Sequence, residues 1–267
     1  MRNGNSNFNL SPDRWQQLNR VAHDESAKIR LRDVFPLWGN SGGYVDSIVG
    51  HEVTVALGEP LKIRAGQHLV PVELAAEFQL SPEQFHDEHV AEALTAHASN
   101  LIRVAEESVI LHGDRARAFL TSINVVERNL DKQRGLFKEN QPQVQRPILE
   151  SILGAKKELE KRHQQGPFVV IVDTELFREA HAPRQNPLDA PKYEIFPLLR
   201  EGGFRYSPAA PEKTGVMLSL GGRPLDIAVP VDVMVELTDE EKGVAFLRTV
   251  EQFALRINDG RAIEALV

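Results

Sequence analysis

The chain contains no cysteine, so no disulfide staples its fold and no thiolate serves as nucleophile or metal ligand. Long apolar runs are missing as well. The longest, Phe168–Val172, is far shorter than the roughly 20 residues that a membrane-spanning helix needs. A basic excess is absent: 31 Lys and Arg stand against 38 Asp and Glu, a net charge of -7, which argues against a surface built for nucleic acid. No Gly-rich phosphate loop with its lysine, no nucleophile elbow and no HExxH pair occurs. Internal repeats and low-complexity blocks are lacking. The first ten residues, MRNGNSNFNL, have no apolar stretch of the signal-peptide kind. Together these absences favour a soluble, cytoplasmic protein without a catalytic signature.

What is present is enough for a sizeable core: 267 residues, 42% hydrophobic and 26% charged. The clearest element runs from Ser81 to Gly113. Ser81, Pro82 and Gln84 form a capping box, and Gly113 supplies a stop. Val90, Leu94, His97, Leu101, Val104, Ser108 and Leu111 recur at steps of four and three, which predicts one long amphipathic helix with this stripe buried.

Before it, Ser11 and Pro12 open a shorter helix with Trp15, Leu18, Val21 and Ala22 on one face. Alternating segments follow, HEVTVALG and PLKIRAGQ, divided by Gly58-Glu59-Pro60, the pattern of a two-stranded ribbon. Such a ribbon is marginal in water and requires a cover, for example a neighbouring subunit. Asp114–Leu136 reads as helical, and a further helix ends in KKELEKRHQQG, whose mixed charges mark a solvated face. PFVVIVDTELFREAH is a buried strand leading into a helix capped by Asp173 or Thr174. A Pro-rich loop and a short helix ending at Gly202-Gly203 come next. Strands close the chain: FRYSP, then GVMLSLGGRPLDIAVPVDVMVEL with a hairpin turn at Gly221-Gly222, a turn or cap at Thr238–Glu241, and VAFLRTVEQFALRI. The mixture defines an α+β class.

Few residues invite chemistry. His86 and His89 with Glu88 put two metal-ligand types at a spacing of three, but a third ligand is lacking, and solvated helix residues are the better account; no metal site is assigned. His97 and Ser108 fall on the apolar stripe as buried, hydrogen-bonded groups. Glu106 and Glu107 are neighbours on a helix and point apart, which makes them a poor acid/base pair. No catalytic residue and no cofactor is assigned.

Three stretches resemble the encapsulin shell proteins of nanocompartments, a family with the HK97-like capsid fold of tailed phages. VELAAEFQLSPEQFHDE followed by AEESVILHGD is similar to the family's strand, acidic helix start and Glu-rich helix end. GPFVVIVDTELFREA is similar to its Gly-Pro strand and following helix. The run from Glu201 to Ile257 matches its C-terminal strands, ending in E-x-F-x-x-R at Glu251, Phe253 and Arg256. The unbroken start of the long helix and the helical character of Arg115–Gln165 depart from the family's pattern.

The resemblance implies an HK97-like subunit: an N-terminal arm and helix over 1–43, an extended loop over 44–72, a peripheral domain with the spine helix over 73–142, an axial domain over 143–225, and C-terminal strands returning to the peripheral domain over 226–267. It implies a homo-oligomer closing into an icosahedral shell around a cargo enzyme of redox or iron-handling type, such as a ferritin-like protein or a dye-decolorising peroxidase, serving iron storage or the response to oxidative stress. The cargo's C-terminal targeting peptide would lie against Trp15, Leu18, Val21, Ala22, Phe253, Leu255 and Arg256. Equally, these residues could simply dock the helix onto its own domain. The loop at 181–193, with His181, Arg184, Asn186 and Asp189, corresponds to the family's five-fold pore segment or is an ordinary solvent loop. A phage or prophage major capsid protein is the alternative on the same fold. Neither membrane nor specific nucleic acid is implied as an encapsulin partner.

Overall fold

In the computed structural model, residues 11–28, 30–38, 43–54, 62–184, 189–241 and 243–267 are described, with 49–54, 62–67, 85, 86 and 88 as backbone only. Helix α1 spans Pro12–Ser26, its first turn capped by the Ser11 side chain, which accepts from the Arg14 amide. Strands β1 (Ile48–Thr54) and β2 (Lys62–Leu69) pair antiparallel, from Ile48 opposite Leu69 to Thr54 opposite Lys62, and form a sheet of their own. The expected ribbon is therefore there; its turn at Gly58-Glu59-Pro60 lies outside the described residues.

β3 (Val72–Leu80) leads into the element expected as one continuous helix. It is two: α2 (Pro82–His86) and α3 (Glu88–His112). Asp87 causes the break. It leaves helical geometry at φ -83° and ψ 106°, and its carboxylate accepts from the His89 and Val90 amides, so it caps a new helix. The Ser81–Gln84 capping box belongs to the short first piece. With 25 residues, α3 is about 37 Å long.

The buried side of α3 is one residue away from the stripe that periodicity favours. Ala91, Thr95, Ala98, Ile102, Ala105 and Val109 face the core, while Val90, Leu94, Leu101 and Val104 are half-buried and His97 is exposed; at the end of the helix Ser108 and Leu111 are buried as expected. Close approach explains the choice. Small alanines let β3, β9 and α1 sit near the helix axis, and larger side chains fit along its flank.

The region 114–136 is corrected too. Only α4 (Arg117–Ser122) is an α-helix, and β4 (Val125–Arg128) pairs with β3. Asn124 and Asn129, at φ 55° and 64°, bracket that strand, since asparagine tolerates the left-handed region. Gly135 threads back against α3; a Cβ there would overlap the His112 and Leu111 backbone.

Beyond it come α5 (Ile148–Lys161), β5 (Phe168–Val172), α6 (Thr174–His181) capped by Asp173, α7 (Lys192–Ile195), β6 (Phe204–Tyr206), β7 (Gly215–Ser219), β8 (Leu225–Glu241), β9 (Val244–Ile257) and β10 (Ile263–Ala265). Two four-stranded sheets result, ordered β4-β3-β9-β8 and β10-β7-β5-β6. Gly221-Gly222 is thus no hairpin turn. The chain crosses there from the second sheet to the first, with β7 pairing to β5 and β8 to β9. Thr238 marks no turn either: it lies inside β8 at a register shift, its hydroxyl donating to the Phe246 carbonyl, and the chain reverses after Glu241 with Gly243 at φ 83°. The last strand leaves the first sheet and joins β7.

β5 explains how the layers are held together. Val169 and Ile171 enter the core shared with α1, α3 and the first sheet, while Phe168, Val170 and Val172 enter a second core with α5 and α6. An unbroken apolar strand is what burial on both faces demands.

Gly135→Ala is expected to abolish folding or lower the thermal midpoint steeply. Gly154→Ala, in α5 with open space around its Cβ position, should instead raise stability by about 0.5–1 kcal/mol. Thermal and urea unfolding of the two variants measures both outcomes.

Candidate functional site

The connector after α1 carries a Leu31–Val34 turn whose flanking and second residues, Arg30 and Arg32, point into the protein. The Arg30 guanidinium donates to Glu106 on α3 at 2.9 Å and to Glu251 on β9 at 2.6 Å. Arg32 donates to the same Glu251 oxygen at 2.5 Å and to Asp232 on β8 at 2.9 Å. Two cations thus hold three carboxylates. The second oxygens of Glu106 and Glu251 are buried without a hydrogen-bond partner, which suits one extra proton in the group. Burial, and then the charge of Glu106, push the Glu251 carboxyl up to about 8 despite Arg30 and Arg32. Burial also raises Glu106. At Asp232 burial opposes ionisation, but Arg32 outweighs it and holds the group below its ordinary value. A proton held within the Glu106–Glu251 pair lowers the negative charge that the two arginines face.

Sequence spacing missed this carboxylate pair. It correctly sets Glu106 apart from Glu107, whose carboxylate turns toward Ser207. It gives no sign that Glu106 meets Glu251 across 145 positions. The available signal was polarity in the wrong place: Glu251 interrupts the apolar face of β9 between Thr249 and Phe253.

The residues expected to receive a cargo peptide are only partly available. Leu18, Ala22, Phe253, Leu255 and Arg256 are buried, and Leu18, Ala22, Phe253 and Leu255 share one core with Trp15 packed on it. Trp15 and Val21 keep partial exposure. Arg256 is set apart from α1: it pairs with Asp226 at 2.8 Å and lies 4.1 Å from the Trp38 ring centroid. Helix docking therefore accounts for most of this set within the subunit. In the 181–193 segment, His181 stacks among Phe177 and Phe204 and its Nδ1 lies 2.9 Å from the Phe177 carbonyl. Arg184 bonds the Asp189 carbonyl through its amide and pairs with Glu194 at 3.3 Å. Asn186 lies outside the described residues. Of the metal candidates, the His86 and Glu88 side chains also lie outside them. No described helix is long and apolar enough to cross a membrane.

A long helix laid across a four-stranded sheet, a two-stranded ribbon anchored through Ile48 on Ala228 and Ala254, and a second sheet flanked by helices make up the HK97-type capsid subunit. Solved structures bear the fold out. A virus-like particle from Pyrococcus furiosus is 18% identical, with 95% of this chain and 99% of that one covered at a TM-score of 0.69. The capsid of Myoviridae phage XM1 is 12% identical, with 86% and 88% covered at 0.57. The holo SrpI encapsulin complex of Synechococcus elongatus PCC 7942 is 9% identical, with 87% and 84% covered at 0.56. No curated protein sequence matches the chain. The family described as "Encapsulating protein for peroxidase" matches residues 2–254, and the chain belongs to it.

Glu251 and Glu106 make stability pH-dependent with a definite sign. Their folded values are raised above the unfolded value near 4.3, so their contribution is complete below about pH 4 and is lost as pH rises toward about 8 for Glu251. Urea unfolding between pH 5 and pH 8 should show falling stability, at up to about 1.4 kcal/mol per pH unit for each proton. Glu251→Gln should flatten that slope. Arg30→Met should cost roughly 3–5 kcal/mol by leaving buried carboxylates uncompensated.

Proposed function

We propose that many copies of this chain close into an icosahedral shell around a cargo enzyme, and that the shell itself is not catalytic. The family match across residues 2–254, on a capsid-type fold, carries this reading. The ribbon supports it physically. Among the described residues β1 and β2 pair with each other and with no other strand, and a two-stranded ribbon of this kind needs cover to be stable. A neighbouring copy in a closed symmetric assembly supplies that cover. The segments 1–43, 44–72, 73–142, 143–225 and 226–267 then act as arm, extended loop, peripheral domain, axial domain and returning strands, with the very end, β10, tied to the axial sheet.

The family's description names a peroxidase, which supports a peroxidase cargo here. In this reading the cargo is of the dye-decolorising kind, in a cytoplasmic compartment that handles oxidative stress, with a ferritin-like cargo for iron storage as the second form. Its C-terminal peptide rests along α1, where Trp15 and Val21 are partly open, over a floor set by Leu18, Ala22, Phe253 and Leu255. Arg256 acts there by holding Trp38. The loop with His181, Arg184, Asn186 and Asp189 lines the five-fold opening.

The phage capsid likeness supports a second reading, a major capsid protein. Electron microscopy of the purified protein, with mass spectrometry of what co-purifies, tests both. Closed particles holding one enzyme are expected. Nuclease-resistant nucleic acid inside would favour the capsid, and a species that stays monomeric or dimeric at all concentrations would refute either form. Replacing residues 50–67 by a short Gly-Ser link should leave a folded subunit that no longer closes, read by size-exclusion chromatography beside circular dichroism.

A further inference from the structure

Each leg of the ribbon is fastened at its root. β2 runs into β3 through two residues only, Val70 and Pro71. The proline ring fixes its own φ, and the β-branched residue before it is confined to extended backbone. Both carbonyls of this link are held as well. Gln133, itself 5% exposed, donates from Nε2 to the Val70 carbonyl at 2.7 Å, and Asn129 donates to the Pro71 carbonyl at 3.3 Å. Gln133 has a firm base. Its own carbonyl accepts from the Asp114 amide, and just beyond it the Leu136 and Phe137 amides donate to the Ile110 and Leu111 carbonyls on α3. The joint is thus tied to the C-terminal end of the long helix.

The other leg is fastened to β8 and β9. The Gly43 amide donates to the Pro230 carbonyl at 3.2 Å. The Tyr44 hydroxyl donates to one oxygen of Glu236 on β8, and Arg248 on β9 holds the other at 2.8 Å. Val45 and Ile48 rest on Ala228 and Ala254. In the first sheet β9 lies between β3 and β8, so the two roots are gripped on separate strands. Anchors placed apart resist twisting as well as bending.

We propose that the ribbon is a stiff lever whose angle to the first sheet is set inside the subunit, with Gln133 and Tyr44 as its positioning residues, and that a second copy of the chain receives it at that angle. A fixed lever gives every subunit the same outline, so symmetric closure yields particles of one diameter. A loose one admits several. The particle consequence rests on the shell reading, whereas the stiffness of the lever is a property of one subunit.

The chain has no cysteine, so Thr54→Cys on β1 with Thr121→Cys on α4 carries one spin-label pair and no other. Co-expressed as a minority with the unaltered chain, such a subunit reports its own internal distance by pulsed electron paramagnetic resonance, whether or not particles form. A single narrow distance is expected, beside particles of one diameter in electron micrographs. Gln133→Ala with Tyr44→Phe, placed in every chain, should widen the distance distribution at least twofold and give mixed or open particles. Pro71→Gly, which loosens the same joint without touching either side chain, should do the same. Tyr193→Phe, at an exposed tyrosine on α7, should change neither reading. Circular dichroism and thermal midpoints check that each variant is folded. A broad distance in the unaltered background, or an unchanged narrow one in both sets of loosened variants, would overturn the proposal. A narrow distance that widens in those variants, with no particles from any chain, would uphold the lever and refute the shell reading instead.

Discussion

Arg30 and Arg32 reach from one short connector to Glu106, Asp232 and Glu251, which arrive on α3, β8 and β9. That joint fixes the connector against the sheet and α3, beside the apolar core in which Leu18 and Ala22 seat α1. Without it, buried carboxylates would remain without full countercharge. Such clusters contribute little net stability, because desolvation offsets most of the attraction. Their effect is to exclude alternatives: only one placement of α1 satisfies both guanidinium groups. For a subunit that must present identical surfaces to its neighbours, a single allowed placement matters more than a few kcal/mol.

The second layer is joined by hydrophobic means instead. β5 and β7 both send alternate side chains into two cores, so the two sheets are packed together rather than linked by a flexible hinge. Gly221-Gly222 carries the chain between them. A Cβ at Gly221 would lie 2.6 Å from the Gly166 carbonyl oxygen, so the crossing requires that residue's lack of a side chain. The ribbon forms a sheet apart from these two layers and joins them through Ile48, packed on Ala228 and Ala254.

Much of the fold was legible because much of it is local. Caps at Ser11, Ser81 and Asp173, the apolar run at Phe168–Val172 and the strands within Leu225–Leu237 and Val244–Ile257 each act within a few residues, and each appears in the structure where it was expected. The residues proposed for cargo and pore were less legible. Burial withdraws Leu18, Ala22, Phe253, Leu255 and Arg256 from direct contact, and a single chain cannot say which exposed side chains meet another copy.

By itself, the sequence determined the α+β class, the ribbon, most helix starts and the family's C-terminal pattern, since periodicity, capping and turn chemistry are short-range. Tertiary structure decided the rest. It chose the alanine side of α3 over the leucine side, because close packing rewards fit as well as apolarity. It turned Val125–Arg128 into a strand by offering the edge of β3. It brought Glu106 beside Glu251, an arrangement that depends on distances through space rather than along the chain.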